Sequence, residues 1–445
     1  MTPQQPANSK PRPREWGILA LGLVALAAFG LRPSIRGIDG AGNYVYIGSL
    51  LVDGDLSFAN QYAQFERMQN LPIGGAAGPV SPVTGLAANR YGVGSSLLWS
   101  PFVAAVHGYL KMRGLPADGT SRPYEWAVAV GTLFWSALGL MLLYGRLRRE
   151  FGAIGSAAAI AGLVLASPLG FYMYAHGSMS HGASFFAMAG SVLAVERAWR
   201  KPSALAMAVA GAMLALVVEI RYQDASWSVV LAIALLLQRR IHHSSFIIHH
   251  WIAFAAAGIL AFLPQLAAWK ILYGSWLAGP LPYLDKTAGT FNFWPAHLMD
   301  ALVSERGGAL AWHPIIAIGL AGLIMALMAR ARWKAIAVTG LAGFAVQAWL
   351  VGCWSVWWAG ASFGNRFFIS SLPLVAFGIA HAFGLARARK MKCAAAACLL
   401  VLIAWNTGLL IQYATQMIPR EQPVPWSRVI KQNVVDVPKL LLKKI

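Results

Sequence analysis

Carboxylates are scarce in this sequence: 16 Asp and Glu stand against 36 Lys and Arg, for a net charge of +20 over 445 residues. Charged residues of all kinds make up only 12% of the chain, about half the share found in soluble domains. A water-soluble globular chain of this length is thereby excluded. Cysteine is nearly absent too. Cys353, Cys393 and Cys398 are too few and too apolar in setting for a disulfide framework or a zinc site. No small-residue cleavage site follows the first apolar run, which therefore reads as a span and not as a signal peptide. There is no repeat of fixed period. The positive charge suggests nucleic acid at first sight, but the basic residues come in short clusters beside apolar runs, the pattern of a membrane orientation signal, which argues against that partner.

What the chain has in abundance is hydrophobic residues, 58% of the total, in repeated runs close to the length that crosses a bilayer. The predicted class is an all-α polytopic membrane protein. Residues 1–15, Pro-rich and basic, read as a disordered cytoplasmic tail before a first span at 16–31. An outer loop over 32–123 follows, and 92–110 within it reads as an interfacial or re-entrant helix. A crossing there would break the alternation with the cytoplasmic Arg146, Arg148 and Arg149. Further spans fall near 126–144, 153–174, 183–198, 204–221, 226–238, 251–272, 310–329, 335–352, 367–385 and 393–412, about eleven crossings in all. A second outer loop covers 273–309, and a tail from 413 to 445 is expected outside. In this topology Glu15, Glu150 and Glu196 are cytoplasmic, so the other 13 of the 16 acidic residues lie on the outer face. Chemistry is expected on that face.

The first outer segment carries Asp39 in a Gly-rich stretch, ahead of a short helix with Asn43, Tyr44 and Tyr46. A carboxylate at membrane depth and close to water suits a general base for a hydroxyl. The alternative is a cap on a helix beginning near Gly42. Asp53-Gly54-Asp55 reads as a turn, with a metal site as its alternative. Asn89-Arg90-Tyr91-Gly92-Val93-Gly94 places an arginine among glycines that permit close approach to an anionic head group. His176 and His181, five apart, read as polar pocket lining, with a metal pair as the alternative. Glu219, Arg221 and Asp224 crowd a membrane boundary, where charges are paired or functional. Either Arg221 pairs with Glu219 or Asp224, or it faces a substrate phosphate. Tyr283, Asp285, Lys286, Trp294, His297, Asp300, Glu305 and Arg306 read mostly as a solvated loop. Trp354, Trp357 and Trp358 read as an aromatic belt, after which Gly364-Asn365-Arg366 brings a guanidinium to the mouth of the next span.

Taken together these segments resemble the GT-C superfamily of integral-membrane glycosyltransferases. The resemblance is to the bacterial family 39 type in particular, the group of the protein O-mannosyltransferases and the lipid A aminoarabinose transferase. It rests on the order of one span, a long outer loop with an early acidic residue, interfacial helices and then many spans. It implies a GT-C-like bundle and a polyprenyl phosphate sugar as donor. The acceptor would be a hydroxyl on a lipid, glycan or protein, and transfer would invert C1. Asp39 matches the family's catalytic acid, although the usual Asp-Glu pair is Asp39-Gly40 here. The resemblance carries donor-phosphate contact to Arg90; Arg221 and Arg366 are read as further phosphate cations. Asn43, Tyr44, Tyr46, Asp53, Asp55, Tyr91, His176, His181, Asp224 and Trp358 are the expected substrate-pocket residues. No cofactor is required by this reading, no metal ligand is assigned, and a divalent cation remains compatible with it. The implied location is a bacterial inner membrane, multi-pass, surrounded by membrane lipids, with the N-terminus cytoplasmic and the site periplasmic. A lipid-linked glycan ligase or polymerase and a flippase of lipid-linked sugar are the alternatives. A non-catalytic scaffold is the remaining one.

Overall fold

The computed structural model describes residues 10–70, 80–237, 247–280 and 289–442. Tyr283, Asp285 and Lys286 of the sequence reading lie outside them. Among the described residues helix dominates, and the only strand-like pairings are isolated bridges, Val80 with Ala87 and Phe291 with Trp354. The chain is an all-α, multi-pass membrane protein. Among the described residues six helices are long and apolar enough to cross a membrane, and three more are apolar but shorter.

The chain divides into two units, residues 20–139 with 172–288, and residues 1–19 with 140–171 and 289–445. The first unit opens in α1 (Pro13–Gly30), which runs through the division. It continues with α2 (Gly37–Val52), α3 (Ala59–Gln69) and α4 (Gly94–Met112). The helix α5 (Arg122–Leu165) again crosses the division, and α6 (His181–Arg200), α7 (Ala204–Ile220), α8 (Ala225–Leu236) and α9 (Ile247–Tyr273) complete the unit. Its aromatic core lies under α2. Tyr44, Tyr46, Phe58, Tyr62, Phe65 and Trp99 are all buried, and Tyr44–Phe65 and Tyr46–Phe58 meet edge to face. Each such pair contributes about 0.5–1.5 kcal/mol beyond area burial. Tyr62 and Phe65 are three apart on α3, so that one face of a largely polar helix is enough to fix it.

The second unit holds α10 (Leu298–Val303), α11 (Ala309–Trp312), α12 (Pro314–Met328), α13 (Lys334–Gly352), α14 (Leu372–Gly384) and α15 (Arg389–Ala414). Helices α12 and α14 approach so closely that a Cβ on Gly378 would stand 1.8 Å from the Gly319 carbonyl oxygen. This is the small-residue packing that membrane helices use in place of a hydrophobic drive.

The expected spans overlap helix over most of their described residues, with 153–174 interrupted at 166–168, and three further differences stand out. The turn expected at Arg146–Arg149 is itself helical: α5 runs through it and bends at Gly152, where φ is +74°. Arg148 reaches Glu15 at 2.9 Å and Arg146 reaches Glu150 at 3.3 Å, so the basic cluster is tied down within the fold. Helix α1 starts at Pro13, inside the segment expected as tail. The C-terminal tail folds as α16 (Trp426–Lys431) and α17 (Val437–Leu442), separated by a π-helical turn. Ile418, Val424 and Val429 of the tail join Trp312, Phe363 and Tyr413 in a buried cluster.

Candidate active site

Helix α2 begins where Gln69 of α3 clamps it. The Gln69 Oε1 accepts from Gly37 N at 2.8 Å, and its Nε2 donates to Ile35 O at 2.9 Å. This side chain satisfies an amide that would otherwise be left unpaired at a helix start. Asp39 therefore sits within the first turn of a helix that starts at Gly37. The helix-cap alternative for Asp39, built on a start near Gly42, is corrected by this placement. The acid is half-buried in the first helical turn.

One turn along, Gly42 has no side chain for a reason. A Cβ there would stand 2.1 Å from the Tyr91 ring. The ring lies across α2 at that gap, and its phenol donates a short hydrogen bond to Asp39 Oδ1. Arg90 donates to the same phenol oxygen from Nε at 3.1 Å and from Nη2 at 3.0 Å. Asp39, Tyr91 and Arg90 thus form one hydrogen-bonded chain. Among the described residues its Nη1 makes no hydrogen bond, which leaves a donor for an anion. Burial raises the Tyr91 phenol well above its ordinary value, and Asp39 beside it adds to the rise, so the ring remains a neutral donor. Burial works against the Arg90 charge, yet Tyr91 and Asp39 more than offset it, and the guanidinium is held above its ordinary value.

The loop carrying these residues is pinned on every side. Asn89 Nδ2 donates to Gly42 O at 2.8 Å, and its Oδ1 accepts from Tyr91 N at 3.0 Å. Tyr46 donates to Tyr91 O at 2.8 Å. Gly92 and Gly94 press on the end of α7, where a Cβ on Gly92 would lie 2.0 Å from Glu219 O. Gln265 Oε1 accepts from Val93 N at 2.8 Å, while the Gln265 backbone N–H donates to Glu219 Oε1 at 3.1 Å. Pro264, just before it, lacks an amide, and this stretch of α9 turns to side chains outside the helix. Gln265 is thus a loop-positioning residue that the sequence reading missed, and Glu219, read there as a possible partner of Arg221, engages Gln265 instead. A Pro-Gln pair inside an apolar span was the available signal.

A second polar cluster lies at the head of α6. Arg221 bonds Asp224 through Nε at 3.1 Å and contacts His181 Nδ1 through Nη1. Ser184 donates to Asp224 at 2.6 Å, and the Tyr172 ring stands 4.6 Å from His181. Of the alternatives for Arg221, the Asp224 pairing is present. Both residues are buried, where removal of one partner is strongly destabilising.

The remaining expected pocket residues fall as follows. Tyr44 is fully buried, with its hydroxyl on Gly119 O. Asn43 is buried and donates to Asp39 O at 2.7 Å. Asp53 and Asp55 flank a turn at Gly54, where φ is +76°. Asp53 accepts from Asn60 at 3.0 Å, and Asp55 accepts from Ser57 N and Ser49 at 2.9 Å. The turn alternative is therefore the geometry present. His176 is half-buried in the turn before α6. In that turn Ser178 packs on α2, where a Cβ on Gly40 would stand 2.7 Å from Ser178 Oγ. Arg366 and Trp358 belong to the second unit. Arg366 opens a 3₁₀ turn there behind Gly364, whose φ is +62°. Among the described residues no three His, Cys, Asp or Glu side chains converge as a metal site would require.

No protein-family model matches the sequence, and no curated protein does. Among solved structures, the chain is similar to ArnT from Cupriavidus metallidurans bound to undecaprenyl phosphate, with TM-score 0.56, 13% identity, and coverage of 98% of this chain and 73% of that one. It is similar as well to the apo state of that protein, with TM-score 0.53, 16% identity, and coverage of 91% and 66%. The archaeal oligosaccharyltransferase AglB from Archaeoglobus fulgidus aligns with TM-score 0.41 at 12% identity, over 96% of this chain and 54% of that one. At these identities the likeness to the two ArnT structures establishes the fold alone, a polytopic helical membrane bundle.

Proposed function

We propose that the chain is a membrane glycosyltransferase that moves a sugar from a polyprenyl phosphate donor to a hydroxyl on a lipid, glycan or protein. The narrower form of the proposal is a bacterial enzyme of family 39 type, in the inner membrane, with Asp39 on the periplasmic face. The observation that carries it is the Asp39–Tyr91–Arg90 chain, an acid and a cation tied together in a loop packed on a helix start. The ArnT structure with undecaprenyl phosphate supplies the donor class.

In this mechanism Asp39 accepts the proton of the acceptor hydroxyl while its oxygen attacks C1 of the sugar. The C1–O bond to phosphate breaks, and polyprenyl phosphate leaves with the bonding pair, so that C1 inverts in one step. Tyr91 fixes the rotation of the Asp39 carboxylate by engaging Oδ1. Arg90, through Nη1, meets the charge that grows on the departing phosphate. Arg221, already paired to Asp224, holds the head of α6 and is a weaker candidate for phosphate contact. Arg366 is a phosphate cation to be tested on its own.

The test is transfer of radiolabelled sugar from a panel of polyprenyl phosphate sugars in membranes containing this chain, against membranes lacking it. Label reaching an acceptor from one donor only in the presence of the chain is the expected result. No transfer from any donor, with lipid, glycan and protein acceptors supplied, overturns the proposal.

A further inference from the structure

The second unit contains a cleft to which the proposed transfer step assigns no role, although one of its walls, Trp358, is an expected pocket residue. Its walls are Arg306, Trp358, Tyr413, Arg420 and Glu305, on segments that read in the sequence as a solvated loop, an aromatic belt and a tail. The Arg306 guanidinium carbon lies over the Trp358 ring, 3.7 Å from its centre, and that of Arg420 lies 5.2 Å from the centre of the Tyr413 ring. Stacking holds both cations in place without neutralising them. The nearby carboxylates do little to quench them. Glu305 Oε1 accepts from Trp426 N at 3.1 Å, and Glu421 touches Arg306 at 3.4 Å from an exposed position. Among the described residues, Arg306 Nε and Trp358 Nε1 are buried donors without a hydrogen-bond partner, and such orphans call for an acceptor.

The geometry points to this cleft as an anion-binding site for the phosphoryl group of a larger polar ligand. The free interior is about 20 Å³, room for one water or one anionic oxygen. A ligand therefore enters by a single charged group and leaves the remainder outside, against the aromatic rims that suit a sugar ring or a lipid head group. Two guanidiniums, one of them with its planar fork fixed, fit phosphoryl oxygens better than a neutral hydroxyl.

The experiment is arginine footprinting of the purified full chain with phenylglyoxal, read by peptide mass spectrometry. One arm adds glucose 1-phosphate with glucose as the uncharged control. The other compares nanodiscs of phosphatidic acid with nanodiscs of phosphatidylcholine. Protection of Arg306 and Arg420 by glucose 1-phosphate but not glucose identifies a soluble phosphosugar. Protection only by phosphatidic acid identifies a bilayer lipid. Both outcomes support the site. Binding of the protecting probe is expected to weaken by about tenfold in Arg306→Gln and in Arg420→Gln, the loss of one charged hydrogen bond each. Arg420 is exposed, so R420Q reports even where R306Q fails to fold. Absence of protection by either phosphoryl probe, or unchanged affinity in R420Q, overturns the proposal without bearing on sugar transfer.

Discussion

In the first unit Arg90 and Arg221 end on side-chain partners, a phenol for one and a carboxylate and imidazole for the other. In the second unit Arg306 and Arg420 lie on aromatic faces, with their nearest carboxylates exposed or already engaged. The same residue type thus serves two purposes. An arginine held by hydrogen bonds sets the geometry of a neighbour, as Arg90 does for Asp39 through Tyr91. An arginine held by stacking is fixed in place while its charge stays available. Position in the fold, and not the presence of arginine at a membrane boundary, separates the two.

Four changes test this contrast. The largest effect is expected at the buried pair. Asp224→Ala strands Arg221 inside the protein, and thermal unfolding should register a loss of about 3–5 kcal/mol. A neutral result would mean that Arg221 has another anion. Next is Arg90→Gln, which removes the cation nearest the proposed leaving group. Steady-state kinetics should give a fall of about 100-fold in kcat/KM, and an unchanged value would move the phosphate contact elsewhere, with Arg366 the next to be tried.

A smaller effect is expected from Tyr91→Phe, about tenfold in kcat, because one charged hydrogen bond to Asp39 disappears while the ring still fills the gap at Gly42. Its pH dependence is informative. The phenol is held well above its ordinary value, so it stays protonated and donating at all pH values below that point. The wild-type rate should therefore show no loss from Tyr91 ionisation below about pH 10. The smallest effect belongs to Asp53→Asn, which disturbs a local turn and its contact with Asn60. About 1 kcal/mol of stability should be lost, read from the unfolding midpoint, with transfer within about twofold. A large loss of transfer would put Asp53 in the site.

Much of the membrane architecture was legible in the sequence, because span length and basic clusters answer directly to bilayer thickness and orientation. Asp39 and Arg90 stood out for the same reason, as charges at a boundary where charge is unfavourable. Their connection did not, since it depends on a gap at Gly42 filled by a ring 49 positions away. Glu219 read as a partner for Arg221, but it turns to the Gln265 amide beside Pro264. That choice is made by tertiary packing between α7 and α9. The tail after 413 read only as a segment on the outer face. Its few apolar positions, Ile418, Val424 and Val429, decide the outcome by burial. Trp358 read as belt because local sequence cannot place Arg306, 52 positions earlier, on its ring.

The central claim is that Asp39 acts in the chemical step and not in holding the donor. Single-turnover transfer and donor binding, measured together on wild type and Asp39→Asn with the donor identified from the panel, separate the two. The account predicts that Asp39→Asn binds donor within a few-fold of wild type while transfer falls by about 10²–10⁴. Transfer at the wild-type rate in Asp39→Asn would contradict it.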